Sequence, residues 1–240
     1  MRTAIKQAVK SRVSETMKGA LASLAFELKT KRIAKRAMPS FRSLQGRRDI
    51  KVHLGAGDDI KLGWVNIDLA LRIPPQIDPA AHPDTMFINY DLRQGLPLPP
   101  ESCAYIYSAH FFEHLEYQQG VRLIADCYRA LKPGGVFRTA LPNYEGLFRA
   151  YLDRDESYFD LLNMREILPY VEPGTESFVD HVNYGVYQHG EHKCVYDAEK
   201  FVLLLRKAGF SQAEAKDYEQ GTDQPSELRR RYSFYVEAVK

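Results

Sequence analysis

The pattern of apolar and polar positions along the chain changes near residue 49. Between Ala4 and Leu28, apolar side chains recur every three or four residues, which is the spacing of one face of an α-helix. These side chains are Ile5, Val9, Val13, Met17, Leu21, Leu24 and Leu28. The spacing predicts an amphipathic helix, and the following segment 38–48, which contains Pro39, is typical of a linker.

Beyond residue 49, short β-rich runs alternate with helical ones, a pattern typical of βαβ units and a largely parallel sheet. The predicted strands are 50–54, 64–67, 85–90, 104–108, 136–141, 211–216 and 232–239. The predicted helices are 113–131 and 197–208, and glycines follow the end of each. We therefore predict a doubly wound, Rossmann-like α/β fold with a seven-stranded, mostly parallel sheet.

The length of 240 residues is sufficient for one full-sized core and an additional element. We predict one main domain over residues 49–240, preceded by a basic helical extension and linker over residues 1–48. Residues 143–195 show no clear strand period. We interpret them as a lid or substrate-binding segment of the main domain.

Composition adds constraints on location and metal content. Hydrophobic residues make up 45% of the chain, as in soluble globular proteins, and no apolar run of about 18 residues is present. The cysteines, Cys103, Cys127 and Cys194, are scattered and form no CxxC pair. They therefore predict neither a disulfide framework nor a structural zinc site. We expect a cytoplasmic protein.

Charge is distributed unevenly along the chain. Residues 1–48 hold 13 of the 33 Lys and Arg residues but only Glu15 and Glu27 among the acids, so the remainder is net negative. The basic helix could dock on the acidic domain of its own or a partner subunit, giving a homo-oligomer. It could also lie on the anionic inner face of the membrane or contact nucleic acid. The net negative charge of the main domain disfavours nucleic acid.

The first predicted strand runs into Gly55-Ala56-Gly57, where glycines allow a sharp turn and close approach of the backbone to a ligand. At the end of the second strand stands Asp68, whose carboxylate can accept hydrogen bonds from both hydroxyls of a ribose. Asp91 follows the third strand. A dinucleotide fingerprint is disfavoured, because its third glycine position is occupied by Ile60.

These features form part of an ordered set of motifs over residues 50–240. The set reads VHLGAG, GWVNID, INYDLRQGLPLP, YIYSAHFFEHL, YRALKPGGVFRTALPNYE, HKCVYDAEKFVLLLRKAGF and YSFYVEAVK. In this order it resembles class I S-adenosylmethionine-dependent methyltransferases. Within that class, it is similar to the small predicted methyltransferases common in bacterial surface-polysaccharide gene clusters.

The resemblance implies S-adenosylmethionine as the cofactor and assigns residues to it. By position, Leu54, Gly55, Ala56 and Gly57 contact the methionine part, Asp68 the ribose, Asp91 and Leu92 the adenine, and Ser108 to His110 the region of the sulfonium. The chain departs from the family at two positions. The usual acid before the first glycine is His53, and the usual third glycine is Asp59.

Methyl transfer to an oxygen requires alignment of the acceptor and removal of its proton, and a histidine is suited to the second task. Among the candidates, we rank His192 first as the base and His110 second, and we keep His189 as a third. His114 is adjacent to Glu113 in the predicted helix 113–131, which favours a structural role. Candidate substrate residues are Asn143, Tyr144, His189 and Tyr196.

A metal centre is not expected, because His181, His189, His192 and Cys194 match no compact zinc motif. The predicted function is O-methylation of a sugar or glycan intermediate. One alternative is a non-catalytic binding or assembly module with the methyltransferase fold, for which the departures at His53 and Asp59 are the best support. The other is a nucleic-acid methyltransferase recruited by the basic N-terminal arm.

Overall fold

The computed structural model describes residues 14–71, 75–78, 80–160 and 177–240. The first part of the predicted basic helix, including Lys6, Lys10 and Arg12, lies outside the described residues. So do residues 161–176 of the predicted lid. Among the described residues, no helix is long and apolar enough to cross a membrane.

The described residues form one seven-stranded sheet with the strand order β3-β2-β1-β4-β5-β7-β6. The strands are β1 (Ile50–Leu54), β2 (Val65–Asp68), β3 (Met86–Asn89), β4 (Cys103–Ala109), β5 (Leu131–Pro142), β6 (Gln212–Lys216) and β7 (Ser233–Val239). β1 to β5 pair in parallel, and β7 pairs antiparallel with both β5 and β6. This arrangement confirms the predicted fold class.

Seven α-helices accompany the sheet within the described part of the chain. They are α1 (Glu15–Arg42), α2 (Tyr117–Ala130), α3 (Tyr144–Asp153), α4 (Glu156–Asp160), α5 (Phe178–Tyr187), α6 (Ala198–Ala208) and α7 (Glu227–Tyr232). The main core lies between the sheet and the helices and includes Phe112, Phe137 and Phe201, whose rings pack edge to face or stack. A smaller apolar cluster joins α3, α4 and α5.

The strand order reverses between β1 and β4, and in open α/β sheets ligands bind at such a point, outside the carboxyl ends of the strands. Leu54 of β1 pairs with Ile67 of β2 and with Ser108 of β4. The residues that follow these strands therefore meet at one edge of the sheet. This register places the glycine turn beside Asp68 and His110.

The N-terminal helix is longer than predicted, and the predicted linker 38–48 is wrong over its first half. α1 continues through Pro39 to Arg42, and Phe41 and Leu44 are buried in the main core. The apolar positions Ala34, Ala37 and Phe41 continue the helical spacing, and this packing holds the last turn despite the proline. The chain therefore packs against the sheet before residue 49.

The predicted helix 113–131 begins later than expected. Glu113 and His114 lie in a 3-10 turn (Phe112–His114), and α2 begins at Tyr117. The cause is a capping box at the start of α2, in which Glu116 and Gln119 satisfy the free backbone N–H groups reciprocally. The turn places Glu113 and His114 just after β4, at the carboxyl edge of the sheet, instead of on the long helix.

Candidate functional site

Two adjoining cavities lie at the carboxyl edge of the sheet. The smaller, of about 330 Å³, extends from β2 and β3 towards α1 and α2, and the larger, of about 800 Å³, lies over the ends of β1 and β4. Asp68, Phe111 and His114 line both cavities. The two cavities thus form one crevice with Asp68 at its centre.

The turn after β1 forms the floor of the larger cavity. Gly55 and Gly57 have φ values of +64° and +52°, which glycine adopts readily and which other residues rarely do. A Cβ on Gly55 would lie 2.7 Å from the Cβ of Phe111, well inside van der Waals contact. A side chain at residue 55 is therefore excluded both by the backbone conformation and by Phe111.

Asp68 at the end of β2 is held by the backbone of two neighbouring turns. Its Oδ2 accepts the N–H of Gly57 and its Oδ1 the N–H of Leu69, each at 2.5 Å. A carboxylate oxygen has a second lone pair, so both oxygens can still accept a hydroxyl from a ligand. The carboxylate of Asp68, which is predicted to bind the ribose, is thus oriented before any ligand binds.

The residues at which the chain departs from the family both line the larger cavity. His53 is almost fully buried, and burial, assisted by the positive charge of Lys61, lowers its pKa to about 4. Asp59 Oδ2 has no hydrogen-bond partner among the described residues, and the Nζ of Lys61 lies 3.8 Å away. In this wall Asp59, together with its neighbour Asp58, offers the carboxylate that residue 53 lacks.

The smaller cavity contains the predicted adenine contacts, Asp91 and Leu92, together with Phe26 of α1. The carboxylate of Asp91 is engaged by Arg93, whose Nε and Nη2 lie 2.9 and 2.7 Å from its two oxygens. Burial alone would raise the pKa of Asp91, but the hydrogen bonds and charge of Arg93 outweigh burial and lower it. Asp91 is therefore ionised and fixed in place.

His110 follows β4 directly and lines the larger cavity. Its φ of +48° is uncommon for a residue with a side chain, and its N–H is held by the carbonyl of Ala140 at 2.9 Å. The ring Nε2 lies 2.7 Å from the Oγ of Ser233, and Nδ1 lies 3.5 Å from Glu113 Oε1. Burial, then the charge of Arg229, keeps its pKa well below the ordinary value, so the ring is neutral.

A second group of side chains adjoins this wall. Glu113 is fully buried, and burial raises its pKa to about 8. Its side chain, His114 and His192 each offer a ligand atom, and these atoms lie within 4.8 Å of one another. His192 Nδ1 lies 2.9 Å from the carbonyl of Gly185 and 3.0 Å from the hydroxyl of Tyr144. Burial, then the nearby His114, lowers the pKa of His192 to about 4.

The structure places several other predicted site residues outside the crevice. Ser108 is fully buried and its Oγ is 2.7 Å from that of Thr139, so its hydroxyl does not face the crevice, and its place beside the sulfonium stays a prediction. Tyr196 is also buried, against Phe201 at a ring distance of 5.4 Å, and its role toward a substrate stays a prediction. The side chain of Leu54 is in the core, which leaves only its backbone near the turn.

The remaining predicted residues lie in the segment predicted to be a lid. Asn143 caps α3, its Oδ1 accepting the N–H of Gly146 at 2.9 Å, and Tyr144 bonds to His192. His189 is exposed in a 3-10 turn with a left-handed φ of +57° and packs beside Tyr184. The roles of these residues toward a substrate stay predictions.

Sequence reasoning missed several residues that line the crevice, most of them from parts of the chain distant from the predicted site. They are Phe26 of α1, Phe111, Arg229 of α7 and Lys193. It also assigned no function to Glu113. The EHL sequence that follows β4 places an acid beside a histidine, and this pair is the one signal that could have drawn attention to it.

Comparison with known proteins finds a match to a methyltransferase family in the centre of the chain. Residues 66–139, which run from β2 into β5, match the family described as "Methyltransferase domain". A probable S-adenosylmethionine-dependent methyltransferase of Mycolicibacterium smegmatis is 36% identical over 67 residues. That match covers 26% of this chain and 25% of the relative, so the chain matches about a quarter of the length of this curated protein.

Solved structures are similar over most of the chain at low sequence identity. A SAM-dependent methyltransferase from Archaeoglobus fulgidus has a TM-score of 0.48 and 15% identity, covering 89% of this chain and 94% of its own. One from Mesorhizobium loti has a TM-score of 0.47 and 18% identity, covering 84% and 96%. The family match and the strand order of this chain support a class I S-adenosylmethionine-dependent methyltransferase domain.

Proposed function

We propose that the chain is an S-adenosylmethionine-dependent methyltransferase that methylates a hydroxyl of a sugar or glycan intermediate, with His110 as the general base. The observation that carries the proposal is the continuous crevice at the carboxyl ends of β1, β2 and β4, with Asp68 shared by its two cavities. The glycine turn and the free lone pairs of Asp68 fit the cofactor.

The shape of the crevice suggests how the cofactor would lie. The smaller cavity, walled by Phe26 and Leu92, suits the apolar faces of an adenine, and Asp68 at the junction suits the ribose. The methionine part then extends over the turn at Gly55 into the larger cavity. When bound, the cofactor supplies a methyl group already activated by its positive sulfur.

Charged groups in the larger cavity suit the two ends of the methionine part. Asp59 supplies the negative charge that an amino group needs and that His53, neutral at pH 7, lacks. Arg229 of α7 supplies a positive charge for a carboxylate, and its Nε is held at 3.1 Å by the side-chain oxygen of Gln224. In this proposal the acid that contacts the amino group is Asp59 in the loop after β1, instead of residue 53 near the end of that strand.

For the base, the geometry favours His110 over His192. His110 lines the larger cavity, and hydrogen bonding to Ser233 orients its neutral ring, which can accept a proton from an acceptor hydroxyl. His192 lines neither cavity. His110 also has a left-handed backbone conformation, and such strain concentrates at functional sites.

The polar character of the larger cavity supports a hydroxylated acceptor. Asp58, His110, Gln224, Ser226 and Arg229 offer donors and acceptors around its walls. A few placed polar groups in a concave site fix the orientation of a small polar ligand. A sugar presents several hydroxyls that such groups can hydrogen-bond.

The acceptor class can be tested by isotope labelling in cells. Cells expressing the wild-type protein, or Asp68→Asn at the same level, would receive methionine with a deuterated methyl group. We expect a deuterated methyl ether on a sugar-containing product only with the wild-type protein. Label on nucleic-acid bases, or identical labelling in both cultures, would contradict the proposed acceptor.

One observation favours a second function, a binding or assembly module that retains the fold. Along α1, Met17, Leu21, Leu24 and Leu28 are 49–58% exposed and lie on one helical face. A protein whose main task was assembly through this face would not need the crevice to bind a cofactor. Absence of any binding of S-adenosylhomocysteine would favour this function.

A further inference from the structure

Glu113 is a fully buried acid near the crevice with both of its side-chain oxygens unsatisfied among the described residues. A carboxylate isolated from water without a partner is strongly disfavoured. Such a group calls for a ligand that satisfies it.

Nitrogen donors surround this carboxylate. The Nε2 of His114 lies 4.0 Å from Glu113 Oε1. Together with a ring nitrogen of His192, these groups form a set of three ligand atoms within 4.8 Å of one another. The rings of His114 and His192 meet edge to face at 4.9 Å.

A hydrogen bond to the backbone orients the ring of His192. The carbonyl of Gly185 can only accept, so Nδ1 of His192 carries the proton and Nε2 keeps its lone pair. Metal-binding histidines usually have their other ring nitrogen fixed in this way.

We infer that Glu113, His114 and His192 form a binding site for a divalent transition-metal ion such as zinc. Two imidazoles and one carboxylate are a ligand set found in catalytic zinc sites, whereas magnesium and calcium prefer oxygen ligands. The ion would draw the ligand atoms together to a separation of roughly 3.4 Å, as tetrahedral zinc geometry requires.

The site has three protein ligands, which leaves a coordination position open. His114 lines both cavities of the crevice, so the site adjoins the region where the acceptor is proposed to bind. Catalytic zinc sites have this composition, whereas structural sites are closed by four protein ligands. Metal binding is nevertheless a property of these three residues alone and does not depend on the proposed methyl transfer.

The test uses tag-free full-length protein that has been treated with a chelator and then titrated with Zn²⁺ in a calorimeter. The variants are Glu113→Gln, which keeps the side-chain shape, and His192→Ala. The matched control is His82→Ala, which removes a histidine from the loop between β2 and β3. Circular dichroism of each protein checks that it is folded.

We expect one equivalent of zinc to bind to the wild-type protein and to His82→Ala. Glu113→Gln and His192→Ala should each lose at least about tenfold in affinity, because each removes one of three ligands. No stoichiometric binding by the wild-type protein would overturn the inference, even if a variant failed to fold. Equal affinity in all four proteins would overturn it as well. The visible spectrum of the cobalt-loaded wild-type protein provides a second test, because a spectrum of hexaaqua cobalt alone would exclude nitrogen ligation.

Discussion

The carboxylate of Asp68 accepts the backbone N–H of Gly57 at 2.5 Å, which ties the end of β2 to the turn that follows β1. The bond fixes the glycine turn and the carboxylate relative to each other. Both therefore stand at the centre of the crevice before a ligand enters. A site of this kind loses little conformational freedom on binding, which favours affinity.

Asp59 is expected to replace the missing acid at residue 53. Asp59→Asn keeps the size of the side chain but removes the negative charge that would face the methionine amino group. We expect binding of S-adenosylhomocysteine to weaken by roughly tenfold, because a hydrogen bond to a charged group contributes about 1.5–3 kcal/mol. Calorimetry measures the change, and unchanged affinity would remove Asp59 from the proposed cofactor site.

Gly55→Ala should destabilise the fold and impair cofactor binding together. The new Cβ meets Phe111 and the backbone has a left-handed φ, so we expect a loss of about 1–3 kcal/mol in the free energy of unfolding. Gly46→Ala is the matched control, because its φ is +79° but no atom lies within 4 Å of the added Cβ. Urea unfolding should show the larger loss for Gly55→Ala. Equal losses would mean that contact with Phe111 contributes nothing.

His110→Asn should separate catalysis from folding. Asparagine tolerates the left-handed backbone that His110 adopts, so the fold should persist, with a melting temperature lower by about 2–4 °C because the hydrogen bond to Ser233 is lost. Methyl transfer should fall by about 10²–10⁴-fold, the usual contribution of a general base, while affinity for S-adenosylhomocysteine stays the same. Retained turnover in this variant would show that another group is the base.

His53 should make the fold sensitive to acid. Its pKa is about 4 in the folded protein, because of burial and then Lys61, and about 6.5 in an unfolded chain. Below about pH 6.5 the unfolded chain binds a proton that the folded protein does not, so stability falls as the pH falls towards about 4. Between about pH 7 and pH 5 the resulting loss in the free energy of unfolding is about 2 kcal/mol.

The comparison for this prediction is urea unfolding of the wild-type protein, His53→Gln and the control His82→Gln at both pH values. His53→Gln should lose less stability than the other two proteins on acidification. An identical pH dependence in all three would show that His53 does not titrate as its burial implies.

The sequence was most informative where function depends on neighbouring strands. The β-rich runs predicted all seven strands, and the parallel order then brought the glycine turn and Asp68 to one edge of the sheet. The reason is that strand pattern and turn glycines are local signals. Once the strands are predicted, parallel pairing places their carboxyl ends, and the residues that follow them, side by side.

Contacts between distant segments could not be predicted in the same way. Glu113 and His192 meet although nearly 80 residues separate them, and Phe26 reaches the crevice from a helix assigned to an extension. The burial of Tyr196, in contrast, could have been predicted, because the local sequence contains a signal for it. It stands just before the cap Asp197 and packs on Phe201, which is the arrangement of a hydrophobic staple.

The central claim is that Asp68 holds the cofactor in the crevice, and calorimetry with S-adenosylhomocysteine tests it most directly. The proteins are the wild type, Asp68→Asn and the exposed-loop control Asp84→Asn. We predict binding by the wild type and the control, and an affinity lower by about ten- to a hundredfold for Asp68→Asn, since one charged acceptor for the ribose hydroxyls is lost. Equal affinity in all three proteins, or no binding by the wild type, would contradict the account.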